Sequence, residues 1–285
     1  MRGTGRTEHS VSRLEARLLR KTALASRDFG LLEPNDRIMV GMSGGKDSYV
    51  MLHLLRILAA RMPFKVELIP THLDQGQPGF PTEILTNWMA QQGLEHHVIR
   101  EHTYEIVKAK TPEGKAYCSM CSRMRRGILY TSAQRLKCTK IALGHHRDDA
   151  IETLMLNLLY AGQIKAMPPR LVSDDGRNIV IRPMINCAEA DIAQLAAEMD
   201  FPILPCTLCS SQPDLKRAKI KALITELHED NPNVRGSMYA ALSNVVPSHL
   251  MDEKIKGLMR EADLRADDDS LTTLEEGPSA GSCSL

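Results

Sequence analysis

Apolar residues recur at helical spacing through Val11, Leu14, Leu18, Leu19 and Ala23, so "VSRLEARLLRKTALAS" predicts an amphipathic helix. "NDRIMVGMS" is a short apolar run bounded by polar residues and predicts a strand, and "DSYVMLHLLRILAARM" predicts a strongly apolar helix. The pattern then alternates. "FKVELIPTHLD" is a second buried strand, "TEILTNWMAQQG" a helix stopped by Gly93, and "EHHVIRE" a third strand. "CTKIALGHH" is a fourth strand, "DDAIETLMLNLLYAG" a helix ended by Gly162, and "NIVIRPM" a further strand. Helices dominate from Ala188, through "AEADIAQLAAEM", "QPDLKRAKIKALITELHED" and "VRGSMYAALSNV". Strands alternating with helices predict an α/β fold, a doubly wound, mostly parallel sheet with helical N- and C-terminal additions. The expected division is an arm and helix over 1–34, a sheet domain over 35–186, a helical region over 187–265 and an acidic tail over 266–285.

Composition changes this picture little. The chain has 285 residues, 43% hydrophobic and 25% charged, as expected of a globular protein. No apolar run reaches the roughly 18 residues of a membrane span. The first residues lack the apolar segment of a secretory signal, so the expected location is cytoplasmic and off the membrane. Charge is more informative. The net charge is +1, but residues 261–285 carry −6 and residues 1–260 carry +7. A basic body is compatible with a nucleic-acid partner.

The first candidate chemistry is "SGGKDS", Ser43 to Ser48, between a predicted strand and a predicted helix. Gly44 and Gly45 let backbone approach phosphate closely. Backbone N–H groups and Lys46 can cradle anionic oxygens, with the Ser43 and Ser48 hydroxyls beside them. A Walker loop would need glycine where Val40 stands and Ser or Thr after the lysine. Here Asp47 follows Lys46, and a carboxylate beside a polyphosphate calls for a bridging Mg²⁺. The stretch resembles the PP-loop of the N-type ATP pyrophosphatases. That resemblance implies ATP cleavage between the α and β phosphates, with AMP passed to a substrate oxygen. "HLDQG", at the end of the second strand, puts His72 where ligands of such sheets bind, as a candidate frame for the adenosine.

A second acidic stretch, "GHHRDDAIET", opens at Gly144 at another strand end. It resembles the "GHxxDD" element of PP-loop enzymes that modify tRNA. The resemblance implies that Asp148 and Asp149 handle Mg²⁺ or substrate activation, Asp149 being the favoured catalytic residue.

Two cysteine pairs, Cys118 with Cys121 and Cys206 with Cys209, stand among seven cysteines. On spacing alone a Cys₄ zinc site, a 4Fe–4S cluster and persulfide-carrying redox pairs all remain open. A wider resemblance ranks them. From about Asn35 to Leu250 the chain is similar to the tRNA-cytidine 2-sulfurtransferases. The matching stretches are "SGGKDS", "CSMCSRMRRGILY", "KIALGHHRDD", "MPPRLVSDDGRNIVIRP", "PCTLCSSQP" and "NVVPSHL". It implies a 4Fe–4S cluster on three cysteines, carried here onto Cys118, Cys121 and Cys209, with Cys206 as the alternative third ligand. It also implies adenylation of the cytidine C2 oxygen at position 32, then displacement of AMP by cluster-bound sulfur. The implied partners are tRNA and a sulfur donor such as a cysteine desulfurase persulfide; a homodimer is compatible with the sequence. A zinc-containing PP-loop enzyme acting on another base, of the 2-thiouridine or lysidine type, is the alternative. So is a tRNA-binding module with a relic loop.

Basic residues follow both pairs. Arg123, Arg125 and Arg126 follow the first; Lys216, Arg217, Lys219 and Lys221 follow the second. With Arg13, Arg17, Arg20 and Lys21 they are the candidate phosphate contacts. Aromatic residues are 4% of the chain, too few for a base-stacking platform, so recognition would rest on RNA shape and phosphates.

Overall fold

The computed structural model describes residues 12–110, 118–204 and 215–255, with the side chains at 118, 119 and 215 outside the described set. The elements run α1 (Arg13–Asp28), β1 (Arg37–Met42), α2 (Lys46–Arg61), β2 (Glu67–Asp74), α3 (Thr82–Gln91), β3 (His97–Arg100), α4 (Thr103–Lys110) and α5 (Cys118–Arg135). They continue as β4 (Lys140–Ala142), α6 (Arg147–Tyr160), β5 (Arg170–Val172), β6 (Ile179–Ile181), α7 (Glu189–Glu198), α8 (Leu215–Asp230) and α9 (Val234–Ala241).

The six strands form one sheet in the order β3-β2-β1-β4-β6-β5. Every pairing is parallel except the β5–β6 edge. The α/β expectation holds, because β1 and β4 are apolar enough to be covered on both faces. On one side α2 packs Val50, Met51, Leu54 and Leu55 out of solvent. Elsewhere Leu129 and Ala133 of α5 pack on Met39 and Ile141 of the central strands. A third cluster joins Ile151 of α6 to Ile220 and Ile224 of α8.

Two elements go beyond the sequence reading. Helix α4 is short, with only Thr103 and Val107 buried. Strand β5 has all three residues exposed, so it carries no apolar pattern. It exists because a turn at Gly176, φ +71°, folds it back on β6, where the Ser173 N–H meets the Asn178 carbonyl at 2.8 Å.

The chain divides into compact units at residues 1–239 and 240–285. The described part of the second unit holds a short 3₁₀ turn, Pro247–His249.

One buried charge braces the first unit. Lys140 on β4 is 2% exposed, and its ammonium meets Asp36 at 2.7 Å and Glu33 at 2.6 Å. Removing one partner leaves the other uncompensated. Lys140→Ala is therefore expected to lower stability by about 3 kcal/mol, read as an earlier midpoint in urea without a changed slope.

Candidate active site

Strand order reverses between β1 and β4, and a doubly wound sheet binds its ligand at that switch, outside the strands' carboxyl ends. The loop after β1 is Ser43–Gly45, and the loop after β4 is Leu143–His146. Both sequence-predicted stretches therefore flank one crevice. They are in direct contact: a Cβ on Gly144 would lie 3.2 Å from the Asp47 backbone carbon. A side chain there would force the start of α2 to give by a few tenths of an ångström.

Gly44 adopts φ +81° and turns the chain into α2, with Gly45 as its N-cap. The first N–H groups of a helix have no intrahelical partner and carry the positive end of its dipole. Ser48 spends its hydroxyl proton on the Gly45 carbonyl at 2.8 Å, and the Ser43 hydroxyl accepts the Gly45 N–H at 3.3 Å. The serines thus brace the loop from within. The Lys46 ammonium lies 3.2 Å from Asp47 and 3.3 Å from Glu189. Burial disfavours its charge, but Asp47 and Glu189 outweigh that and raise its pKa.

Helix α6 begins with a capping box. The His146 ring accepts the Asp149 N–H, and the Asp149 carboxylate accepts the His146 N–H. His146 Nε2 lies 3.5 Å from Asp149 and 3.9 Å from Asp47, so it links the two acidic loops. Asp148 and Asp149 diverge in role. Asp148 is 3% exposed and accepts the Glu189 N–H at 2.8 Å and an Arg235 N–H at 3.1 Å. Burial opposes its ionisation, but these donors and Arg147 hold its pKa below the usual carboxylate value. Asp149 is the more accessible, with Arg217 at 3.5 Å. Burial pushes the His145 imidazole down to about 4, helped by Arg182, so it is neutral at physiological pH.

At the β2 end, buried His72 holds the Met42 carbonyl at 2.8 Å through Nδ1 and stacks on Phe80. Burial lowers its pKa, and its Nε2 has no partner. With Nδ1 donating, Nε2 is an acceptor open to a ligand. Three residues on, Gln75 donates to Thr103 at 3.0 Å and to Cys121 Sγ at 3.3 Å.

Cys118 and Cys121 lie in the first turn of α5 itself, rather than ahead of the basic helix. Cys206 and Cys209 lie outside the described residues. The chain leading to them is fastened to the loop: the Leu204 N–H donates to the Gly44 carbonyl at 2.9 Å, and Leu204 crowds the space beside Gly44. Phe201 stacks on Tyr49 of α2, whose hydroxyl donates to the Pro202 carbonyl at 3.0 Å.

The basic clusters separate into exposed and engaged members. Arg123, Arg125 and Arg126 are exposed along α5. Lys216 is exposed and lies over the Tyr160 ring. Arg217 lies 3.6 Å from Glu152 as well as near Asp149, and Lys221 pairs with Glu189 at 2.9 Å. On α1, Arg17 and Lys21 face Asp191.

Among the described residues, no group of three or more His, Cys, Asp or Glu side chains is disposed to hold a metal ion alone. Mg²⁺ usually binds through one or two carboxylates plus substrate phosphates. Asp47 fits that role, since its Oδ1 lies 3.2 Å from the Lys46 ammonium and takes no further hydrogen bond. Cys121, a free thiol beside an amide donor, fits a cluster ligand, whose sulfur such donors tune.

The sequence reading missed His146, Glu189 and Arg235. Burial disfavours ionisation of Glu189, but Lys221, Lys46 and His146 outweigh it and hold its carboxyl down at about 2. Its position at a helix start looks like ordinary dipole compensation.

Residues 14–202 match the model of the PP-loop domain family. The chain is 53% identical over 254 residues to the tRNA-cytidine(32) 2-sulfurtransferase of Anaeromyxobacter sp. (strain Fw109-5), covering 89% of this chain and 84% of that one. It is 48% identical over 278 residues to the enzyme of that name from Enterobacter sp. (strain 638), covering 96% and 89%. Among solved structures it is similar in fold to the U34-tRNA thiolase NcsA from Methanococcus maripaludis with its 4Fe–4S cluster. The TM-score is 0.64 at 22% identity, over 87% of this chain and 88% of that one.

Proposed function

The chain belongs to the tRNA-cytidine(32) 2-sulfurtransferase family of PP-loop enzymes, and from that premise we propose that it converts cytidine 32 of tRNA to 2-thiocytidine. The observation that carries the reading is that Cys121 and the described chain ending at Leu204 are each bonded to loops at the carboxyl edge of the sheet. Gln75 reaches Cys121, and Leu204 is bonded to Gly44.

ATP lies over residues 43–48, its β and γ phosphates taking the first N–H groups of α2 and the Lys46 ammonium. His72 Nε2 accepts from the adenine amino group. Asp47 would hold a Mg²⁺, which would supply positive charge for the departing pyrophosphate. The cytidine C2 oxygen attacks the α phosphorus; the new O–P bond forms as the bond to the β-phosphate oxygen breaks. That oxygen carries no proton, so no general base is needed for adenylation. Asp149, fixed by His146, acts in handling the substrate or metal. Asp148, tied to Glu189 and Arg235, fixes the start of α6. A sulfur nucleophile then adds at C2, and AMP leaves with the electron pair of the C–O bond. A 4Fe–4S cluster on Cys118, Cys121 and Cys209, or Cys206 as the third ligand, would supply an iron site open to sulfur. Arg123, Arg125, Arg126 and Lys216, all exposed, are the residues proposed to meet the RNA backbone, with Arg217 shared between it and Asp149.

The test is reconstitution without air, with ATP, Mg²⁺, sulfide and tRNA, followed by mass spectrometry of the nucleosides. The expected product is 2-thiocytidine at position 32, with AMP formed in equal amount. Cytidine left unchanged while another base gains sulfur or an amine would refute the reading. So would full thiolation by a colourless, zinc-only preparation, as regards the cluster.

A further inference from the structure

Beside Asp148 lies a cavity of about 600 Å³, lined by Arg147, Asp148, Glu189, His228, Arg235 and Gly236 among others. None of residues 43–48 contributes to it, so it is distinct from the phosphate loop.

We propose that this cavity binds a backbone phosphodiester of the RNA substrate, an inference that rests on the tRNA-modifying reading above. The first turns of three helices, α6, α7 and α9, line it and present the positive ends of their dipoles, and the last turn of α8 adds His228. Two carboxylates already stand there, with Arg147 and Arg235 on Asp148 and Lys221 on Glu189. Three cations thus meet two carboxylates, leaving aside Lys46, which Glu189 shares with Asp47 outside the cavity. Donors remain to be used. Arg147 Nε and His228 Nδ1 are buried atoms without a hydrogen-bond partner.

A phosphodiester offers acceptors and a negative charge, and no donors, which is the complement of this lining. A nucleobase fits it less well. Bases bound by proteins are stacked on aromatic or guanidinium planes, whereas among the described residues no Phe, Tyr or Trp lines the cavity and both guanidiniums are engaged by Asp148. The location favours RNA over a free anion. Glu189 spans from the cavity to Lys46 of the phosphate loop, 3.3 Å away. A polynucleotide whose target base reaches that loop carries its neighbouring phosphates past the cavity.

Gly236 allows a clean test. It lines the cavity, and a Cβ added to it meets no atom within 4 Å. Gly236→Ala, Gly236→Glu and Gly236→Lys would be compared for tRNA affinity at fixed salt by filter binding. Melting curves and ATP affinity without tRNA serve as fold controls. Gly236→Glu is expected to weaken tRNA binding about tenfold relative to Gly236→Ala, the effect of one unscreened like charge at close range. Gly236→Lys is expected to bind at least as tightly as Gly236→Ala. Equal tRNA affinity for Gly236→Glu and Gly236→Ala overturns the proposal while leaving the thiolation reading intact. Calorimetry with inorganic phosphate separates the sources. Phosphate binding that Gly236→Glu abolishes, without change in tRNA affinity, would make this a small-anion site and overturn the assignment. Failure of the unmodified protein to bind tRNA overturns the thiolation reading, and this inference with it.

Discussion

Asp47→Asn is expected to reduce tRNA-dependent pyrophosphate release roughly a thousandfold, the effect of losing about 4 kcal/mol of charge stabilisation at the transition state. The substitution keeps the shape of the side chain at the start of α2. Lys46 retains Glu189 at 3.3 Å, so the loop keeps a resident ion pair. Gly44 and Ser48 brace the turn whatever stands at position 47. What is lost is the carboxylate charge on an oxygen whose near neighbour in the resting protein is the Lys46 ammonium, at 3.2 Å. A neutral amide cannot replace it as a ligand for a hard cation. ATP binding measured in a chelator should therefore be little changed or tighter, since one repulsive charge is gone. Release of radiolabelled pyrophosphate at saturating tRNA gives the rate. A variant within tenfold of the parent would show that Asp47 does not serve the metal.

Cys121→Ser separates the two halves of the reaction. Thiolation is expected to fall below detection, while tRNA-dependent formation of AMP and pyrophosphate stays within about fivefold of the parent. Serine is close in size and still accepts the Gln75 amide, so the packing of α5 against the β2 loop survives. Its alcohol is a hard, protonated group, and iron–sulfur clusters select thiolates. Iron content and visible absorbance should drop together with 2-thiocytidine. Equal loss of pyrophosphate release and thiolation would mean that Cys121 acts before sulfur enters. Iron content unchanged in the variant would remove Cys121 from the ligand set.

The sheet was legible because its strands are short, apolar and bounded by glycines and polar residues. The two loops were legible because each is a local string: "SGGKDS" and "GHHRDD" announce anion and metal chemistry within a few residues. The connections between them were not. Glu189 acts on Lys46 across 143 positions and Arg235 acts on Asp148 across 87. Neither carries a local signature, since an acid opening a helix and an arginine in a helix's first turn are both common on solvated surfaces. Arg217 shows the converse. In the sequence it belongs to a basic run that looks free for RNA, yet the fold sets it beside Asp149 and Glu152. Strand β5 escaped because its register depends on the turn at Gly176 and not on any apolar alternation.

The close approach of Gly144 to the Asp47 backbone fixes the gauge of the crevice. At a separation of 3.2 Å for a hypothetical methyl, the β4 loop and the start of α2 already touch. The spacing between them therefore leaves no room for a side chain at position 144. Adding a single carbon at position 144 would act as a spacer, holding the crevice open by a few tenths of an ångström at the place where in-line geometry is most demanding.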